Sequence, residues 1–219
     1  MKKILTLILA TCVLNALFAQ TEVVNGVVVD HTAEKIVKNA VEKLQNDTPF
    51  SFSFAYNLSE QGEKAQKGSG TFLSNGNKYR VESSDFNDYC NGTTLWHYIK
   101  SNNEVEISDV EDGNAMFNFT KIINQYAKSY RPKLIRYETF NKVNCAIIDL
   151  TPKKSSSISK VRLWTAKNDN RILQMIIYVR GGTTYTYTFS NYKAKTTTTD
   201  EDFVFQKSKF PKAKVVDLR

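Results

Sequence analysis

Alternating polar and apolar positions dominate the chain and predict a protein built mainly of β-strands. A period of two places every second side chain on one face of a strand. The clearest alternation has five apolar members, and its face is almost entirely aromatic: Phe50, Phe52, Phe54, Tyr56 and Leu58. Further short strand-like runs, separated by turn-forming residues, cover 69–73, 78–83, 94–99, 104–107, 134–139, 145–150, 161–165, 172–179 and 183–189.

Two segments break this alternation with helical spacing. In the first, Asp30 or Thr32 can cap a helix, because either side-chain oxygen can accept a hydrogen bond from an orphan backbone N–H. Its apolar stripe consists of Ile36, Val37, Ala40, Val41 and Leu44. In the second, Asp112-Gly113-Asn114 can begin a helix and Pro132 bars its continuation. Its apolar face consists of Ala115, Met116, Phe119, Ile122, Ile123 and Tyr126, with Phe117 beside it.

The spacing of the strands indicates the architecture. Several short strands follow Pro132 with no helix between them, which favours an antiparallel sheet or barrel over a parallel α/β sheet. The chain shows no internal repeat. We expect a leader at 20–32 and a single domain at 33–219.

The first residues are typical of a secretory signal peptide. Lys2 and Lys3 precede an apolar stretch that ends at Ala19, a small residue before Gln20. The stretch is shorter than the ~20 residues of a spanning helix, which argues against a membrane anchor. A lipid-modified Cys12 is a further alternative, but Thr11 stands where a smaller residue is usual. We expect 1–19 to be removed and the rest to be exported as a soluble protein.

The composition offers little material for catalysis or nucleic-acid binding. The chain has 30 Lys and Arg against 22 Asp and Glu, a net charge of +8 that is spread thinly and accompanies no nucleic-acid-binding motif. With two His and three Cys, we expect no metal, cofactor or enzymatic activity. His97 is expected at the sheet surface rather than as a general base. Asp85 and Asp88 resemble a carboxylate pair, but spacing alone does not create a cleft. Cys90 and Cys145 form either a disulfide or two buried thiols.

A set of motifs, taken in order, resembles the LolA family, periplasmic carriers of lipoproteins. Gly92-Thr93-Thr94-Leu95-Trp96-His97-Tyr98 is similar to the family's D-G-x-x-L-W-x-Y segment, with Asn91 in place of the Asp. The match runs from about residue 34 to 217. The other matching pieces are Gly68 to Phe72 with Lys78 to Val81, Asn103 to Val105, Gly113-Asn114 with Phe117, and Phe203-x-Phe205 with Pro211 and Val215 to Asp217. Members of the family carry an Arg after the strand that matches Gly68 to Phe72, and this Arg pairs with a helical lid and controls its opening. The turn Ser74 to Asn77 contains no Arg, so this gating role does not carry over to the present sequence.

The resemblance implies a fold and a function. The fold is mainly β with α: an incomplete antiparallel β-barrel, or half-barrel, covered by a helical lid. Its hydrophobic cavity takes the acyl chains of lipoproteins, which the carrier receives from an inner-membrane ABC-type lipoprotein release complex and moves toward an outer-membrane acceptor that the sequence does not identify. We expect a monomer. An alternative is a sensor or regulator on the same fold that acts on a membrane signalling partner. A third, an exported hydrolase, needs a nucleophile and base that we cannot assemble.

A carrier of this kind needs more inward apolar side chains than a filled core requires. The alternation adds the row Tyr185, Tyr187 and Phe189, and it leaves open whether Tyr98 or Leu95 faces inward with Trp96. Aromatic residues at period two are more often ordinary core than ligand contacts. The resemblance and the alternation together assign the cavity to Phe52, Phe54, Tyr79, Val81, Trp96, Tyr98, Met116, Phe117, Phe119, Ile122 and Ile123.

Overall fold

The computed structural model describes residues 21–24, 27–110 and 125–219. The expected signal peptide and the candidate cavity residues Met116, Phe117, Phe119, Ile122 and Ile123 lie outside the described residues. Helix α1 spans His31–Asp47. The strands are β1 (Thr21–Val24), β2 (Val27–Asp30), β3 (Phe50–Ser59), β4 (Gln66–Asn75), β5 (Lys78–Ser83), β6 (Phe86–Cys90), β7 (Thr94–Ile99), β8 (Glu104–Asp109), β9 (Tyr130–Phe140), β10 (Val143–Pro152), β11 (Ile158–Ala166), β12 (Ile172–Val179), β13 (Thr184–Lys193) and β14 (Lys214–Asp217).

Twelve of these strands form one large open sheet. Its order is β14-β8-β7-β6-β5-β4-β3-β13-β12-β11-β10-β9, so β14 and β9 stand at opposite ends. Neighbouring strands are antiparallel except β14 and β8, which pair in parallel. Strands β1 and β2 form a separate antiparallel hairpin. The predicted fold class, mainly β with an antiparallel sheet that does not close into a barrel, is confirmed.

Helix α1 covers one half of the sheet, and we call the face that it covers the inner face. The predicted stripe is buried through Val37, Ala40 and Val41. Asp30 caps the helix by accepting a hydrogen bond from the backbone N–H of Ala33 at 2.9 Å, and its other oxygen accepts from the N–H of Leu134 in β9 at 2.8 Å. One carboxylate therefore caps the start of the helix and ties it to the sheet. Within the described residues, no helix combines the length and the apolar character needed to cross a bilayer.

The packed core lies between α1 and this half of the inner face. Its members are aliphatic and aromatic side chains, and burying each large one contributes about 1.5–3 kcal/mol. The largest side chains of this core that are under 2% exposed are Phe72, Ile148, Leu150, Leu163, Met175, Val37, Val81 and Val161.

The outer face carries two apolar clusters of its own. On β7 and β8, Tyr98 and Val105 are covered by the C-terminal segment, where the Phe210 ring lies 4.6 Å from that of Tyr98 and 5.1 Å from that of Phe205. That segment contains two short 3-10 helices, Asp200–Phe203 and Lys207–Lys209. The second cluster, centred on β10 and β11, consists of Cys145, Ile147 and Trp164 with their partly buried neighbours.

A two-pronged ion pair stands on the outer face beside that second cluster. Arg162 donates to the two oxygens of Asp149 at 2.6 and 2.8 Å, and Lys160 lies 3.2 Å from the same carboxylate. Burial alone raises the pKa of Asp149, but the hydrogen bonds from Arg162 and Lys160 outweigh burial and lower it.

The structure departs from the sequence-based expectation in several elements. Strands β1 and β2 lie in the segment expected to be a leader, and β14 at the C-terminus was not predicted as a strand. Strand β6 was not predicted, because its central residues Asn87 and Asp88 are polar although all five of its residues are buried. The helix expected to run up to Pro132 is helical at 125–129, but β9 begins at Tyr130 and includes Pro132. Proline is tolerated there because β9 is an edge strand, where a missing N–H donor breaks no ladder.

Candidate functional site

A cavity of about 730 Å³ opens on the inner face. Ligand pockets in proteins span roughly 300–1,000 Å³, so the space is large enough for a small-molecule or lipid ligand. It lies where β3 and β7 end, where β4, β6 and β13 begin, and beside the turn between β5 and β6. Its walls consist of Phe54, Tyr56, Leu58, Gln66, Ser84, Asp85, Phe86, His97, Ile99, Lys100, Ser101, Tyr185 and Tyr187.

Two glycines of β4 make room for the aromatic wall. Gly68 pairs with Tyr56 and Gly70 with Phe54. A Cβ built on Gly68 would lie 2.5 Å from the Tyr56 ring, and one built on Gly70 would lie 2.7 Å from the Phe54 ring. The two rings therefore lie directly over glycine backbone. The G-x-G spacing in the sequence supplies this flat surface.

The rings of β3 and β13 form one continuous apolar wall. The Tyr187 ring is 6.4 Å from that of Phe54, edge to face, and 6.5 Å from that of Tyr56. Burial raises the pKa of Tyr187, so its hydroxyl stays neutral at any physiological pH. An uncharged aromatic wall suits an apolar ligand.

The polar side chains at the rim are engaged with one another. Asp85 accepts hydrogen bonds from the hydroxyl of Tyr56 and, at 2.8 Å, from that of Ser84. The bond from Tyr56 is the main reason why the pKa of Asp85 is lowered. The ammonium of Lys100 donates to the backbone carbonyl of Ser83. These contacts join the turn between β5 and β6 to the end of β7.

A buried carboxylate stands behind the cavity wall. Asp88 of β6 is 0% exposed, and its Oδ1 lies 2.6 Å from Nδ1 of His97 on β7. Among the described residues, Asp88 Oδ2 is buried and has no hydrogen-bond partner. The hydrogen bond to Asp88 raises the pKa of His97, with a further contribution from Glu106 on β8. Burial raises the pKa of Asp88, against the effect of His97. Of this pair, the imidazole is the member that lines the cavity.

The structure divides the predicted cavity residues into groups. Phe54 lines the cavity. Phe52, Tyr79 and Val81 share its face but belong to the packed core, where the Phe52 and Phe72 rings stack at 4.8 Å.

Trp96 and Tyr98 require a correction, because they point to the outer face. Tyr98 is buried in the cluster beneath the C-terminal segment, and Trp96 packs partly buried against that cluster. Strand alternation then sends their neighbours His97 and Ile99 inward, where both line the cavity. His97 is a strand residue, as expected, but its partly exposed side chain faces the cavity.

Sequence reasoning missed part of the wall. Phe86, His97 and Ile99 were not assigned to the cavity, whereas the Tyr185 and Tyr187 row was noted as an inward face. The alternation around Trp96 places residues 96 and 98 on one face of β7 and residues 97 and 99 on the other face. It does not tell which set faces inward.

Other chemistry is sparse in the described part of the chain. Among those residues, no group of three or more His, Cys, Asp or Glu is arranged to hold a metal ion. Cys90 and Cys145 are both buried free thiols. Cys145 belongs to the outer-face cluster. Cys90 stands opposite Tyr79 of β5 and Leu95 of β7, so it belongs to the inner face.

Comparison with known proteins identifies the family. The family model described as "Outer membrane lipoprotein carrier protein LolA" matches residues 50–206. A search of curated proteins finds no significant match. Among solved structures, an uncharacterized conserved protein from Thermus thermophilus superposes with a TM-score of 0.59 at 14% identity, covering 85% of this chain and 99% of that one. That likeness shows a shared fold.

Two further solved structures have names that refer to lipoprotein sorting or to the LolA superfamily. A putative outer membrane lipoprotein-sorting protein domain from Vibrio parahaemolyticus has a TM-score of 0.45 and 16% identity, covering 81% of this chain and 99% of that one. A LolA superfamily protein from Nitrosomonas europaea has a TM-score of 0.43 and 16% identity, covering 79% and 97%. Because the family model spans well over half of the sequence, this chain belongs to the family of the outer membrane lipoprotein carrier protein LolA.

Proposed function

We propose that this protein is a periplasmic carrier that binds the acyl chains of lipoproteins in the inner-face cavity and moves them from the inner membrane toward the outer membrane. The observation that carries the proposal is the cavity of about 730 Å³ with its aromatic wall, which the described side chains leave open beside a well-packed core. Family membership supports the same function.

The physical requirement for such a carrier is large. Each CH₂ moved into water costs about 0.8 kcal/mol, so a chain of about 16 carbons costs on the order of 10 kcal/mol to expose. The wall formed by Phe54, Tyr56 and Tyr187 offers apolar area in place of water. The sheet is open rather than closed, so the protein part of a lipoprotein can remain outside while its chains are covered. This function needs no covalent chemistry.

The proposed route begins at an inner-membrane ABC-type lipoprotein release complex and ends at an outer-membrane acceptor. Export by the expected signal peptide at 1–19 would bring the protein to the compartment between the two membranes. The alternative, a sensor that acts on a membrane signalling protein, uses the same cavity and differs in the partner. Cross-linking in intact cells separates the two: recovery of an ABC-type complex supports transport, and recovery of a signalling protein instead supports the sensor.

Native mass spectrometry of the purified protein with a triacylated lipopeptide tests the binding step. We expect a one-to-one complex with the lipopeptide and none with the same peptide lacking its acyl chains. Leu58→Trp places a large ring in the cavity wall and should weaken the complex at least several-fold. Ser59→Trp is the matched control. Ser59 follows Leu58 directly in β3, so its side chain points to the opposite face of the sheet, and it is exposed. Equal binding of the peptide without acyl chains would contradict the proposal.

A further inference from the structure

His97 lines the cavity and has one ring nitrogen held by the protein and the other without a partner among the described residues. The imidazole of His97 is fixed through Nδ1, which lies 2.6 Å from the buried Asp88 carboxylate. No hydrogen bond joins its other nitrogen, Nε2, to any described residue. Asp85 and Lys100 at the rim are instead each hydrogen-bonded to another part of the protein. Since one edge of the ring is held against β6, the opposite edge is the one available to a ligand in the cavity.

The chemistry of the proposed cargo supplies a matching group. The acyl chains of a lipoprotein end in ester and amide carbonyls, which lose their hydrogen bonds to water when the chains enter an apolar cavity. A desolvated carbonyl oxygen needs a donor, and leaving it without one weakens binding. Resting on the proposed function, we infer that His97 donates a hydrogen bond from Nε2 to an acyl carbonyl of the bound lipid and so fixes how far the chains enter the cavity. Asp88 acts as the positioning residue that orients the ring.

The electrostatic surroundings favour the protonated, donating form of the ring. The groups facing His97 are Asp88 from β6, Glu106 from β8, and Asp85 and Lys100 at the rim. The hydrogen bond to Asp88 raises the pKa of His97, so the doubly protonated ring persists to higher pH than in a free histidine. When that proton leaves, Nδ1–H stays on Asp88 and Nε2 becomes an acceptor, which cannot bind a carbonyl oxygen. The interaction should therefore weaken as the pH rises.

Two matched ligands isolate the carbonyl contact. One is a lipopeptide whose glyceryl chains are ester-linked palmitoyl groups, and the other has the same chains in ether linkage, without those carbonyls. Binding is measured by fluorescence titration at pH 6–10. We expect the wild-type protein at pH 6 to prefer the ester form by roughly 3- to 10-fold, the worth of one hydrogen bond. His97→Phe should bind both forms with the affinity that the wild-type protein has for the ether form. His31→Phe, the same change at an exposed histidine outside the cavity, should keep the preference.

The outcomes separate this inference from the proposed function. If the wild-type protein binds neither lipopeptide, the carrier function itself fails. If it binds both and His97→Phe retains the ester preference, the assignment of His97 is overturned. Should His97→Phe not fold, the wild-type titration decides alone: an ester preference that declines between pH 6 and pH 10 while ether binding stays constant supports the assignment, and a preference that is independent of pH overturns it.

Discussion

Gly70 of β4 has no space for a side chain, and its replacement by alanine tests how closely β4 and β5 are packed beneath the cavity wall. A Cβ at this position would lie 2.3 Å from the carbonyl oxygen of Glu82, 2.9 Å from Cα of Ser83 and 2.7 Å from the tip of the Phe54 ring. Two of these three contacts are to backbone atoms of the neighbouring strand. Backbone cannot turn aside as a side chain can, so the strands must separate locally.

The size of the effect follows from two opposing contributions. Overpacking a well-packed site costs about 1–3 kcal/mol, and contacts this short with backbone place Gly70→Ala at the upper end. Alanine returns about 0.5–1 kcal/mol, because it restricts the unfolded chain more than glycine does. We therefore expect a net loss of about 2 kcal/mol in the free energy of unfolding. For a chain of this length, that corresponds to a fall of about 4–8 °C in Tm.

Gly68→Ala is the control, because the three atoms nearest to its Cβ would all belong to the outer end of the Tyr56 side chain, at 2.5 Å. That ring can swing away at the expense of its hydrogen bond to Asp85, so the expected loss is under about 1 kcal/mol. Urea unfolding followed by tryptophan fluorescence gives both values at constant m. The reasoning is refuted if Gly70→Ala unfolds within 0.5 kcal/mol of the wild-type protein (the ~0.5 kcal/mol scatter of ordinary surface changes), or if Gly68→Ala is the more damaging change.

Three further outcomes are expected. Phe210→Ala should destabilise the protein by about 1–3 kcal/mol in urea, yet leave the binding of a hydrophobic fluorescent probe unchanged, since Phe210 lies on the outer face; loss of probe binding would contradict that placement. Arg162→Met should cost about 1–3 kcal/mol at pH 7. Because the pKa of Asp149 is lowered in the folded state, the pair stabilises above the pKa of an unfolded Asp, about 4, and its contribution disappears as the pH falls through the folded value; a difference that does not decline at all as the pH is lowered below about 4 would speak against the ion pair. Burial raises the pKa of both the Cys90 and Cys145 thiols, so neither should react with a thiol reagent until urea unfolds the protein, when both should react without prior reduction; a single slow phase requiring reductant would indicate a disulfide.

Local periodicity was sufficient to predict α1 and most strands. One short segment contains both the cap at Asp30 and the apolar stripe through Val37 and Ala40. The structure confirms both features. The failures occur where the surroundings of a segment, rather than its own pattern, decide its structure. Strand β6 is buried on both faces, so its Asn87 and Asp88 violate the pattern that identifies a strand from sequence. Pro132 lies inside an edge strand, and edge position depends on the whole sheet rather than on neighbouring residues.

The cavity was predicted less well than the fold, because a period of two separates two faces without naming the inner one. For Trp96 and His97 the answer depends on Phe205 and Phe210, which are more than 100 residues further along the chain and cover the outer face of β7. No pattern within β7 contains that information. Large aromatic residues are therefore a poor guide to the inner face when a distant segment supplies a second apolar cluster.

The contrast between Phe52 and Phe54 shows how one strand serves both stability and binding. The two side chains share a face of β3, two residues apart, and both are almost fully buried. Phe52 belongs to the same core as Ala40 and Leu44 of α1, whereas Phe54 also borders the open cavity. Unfilled space forfeits packing energy, so the fold can retain a cavity only if another region supplies its stability. That region is the half of the sheet under α1, where Ile148 and Leu163 are fully buried. Substitutions there should lower the free energy of unfolding, whereas substitutions along the cavity wall should change ligand binding first.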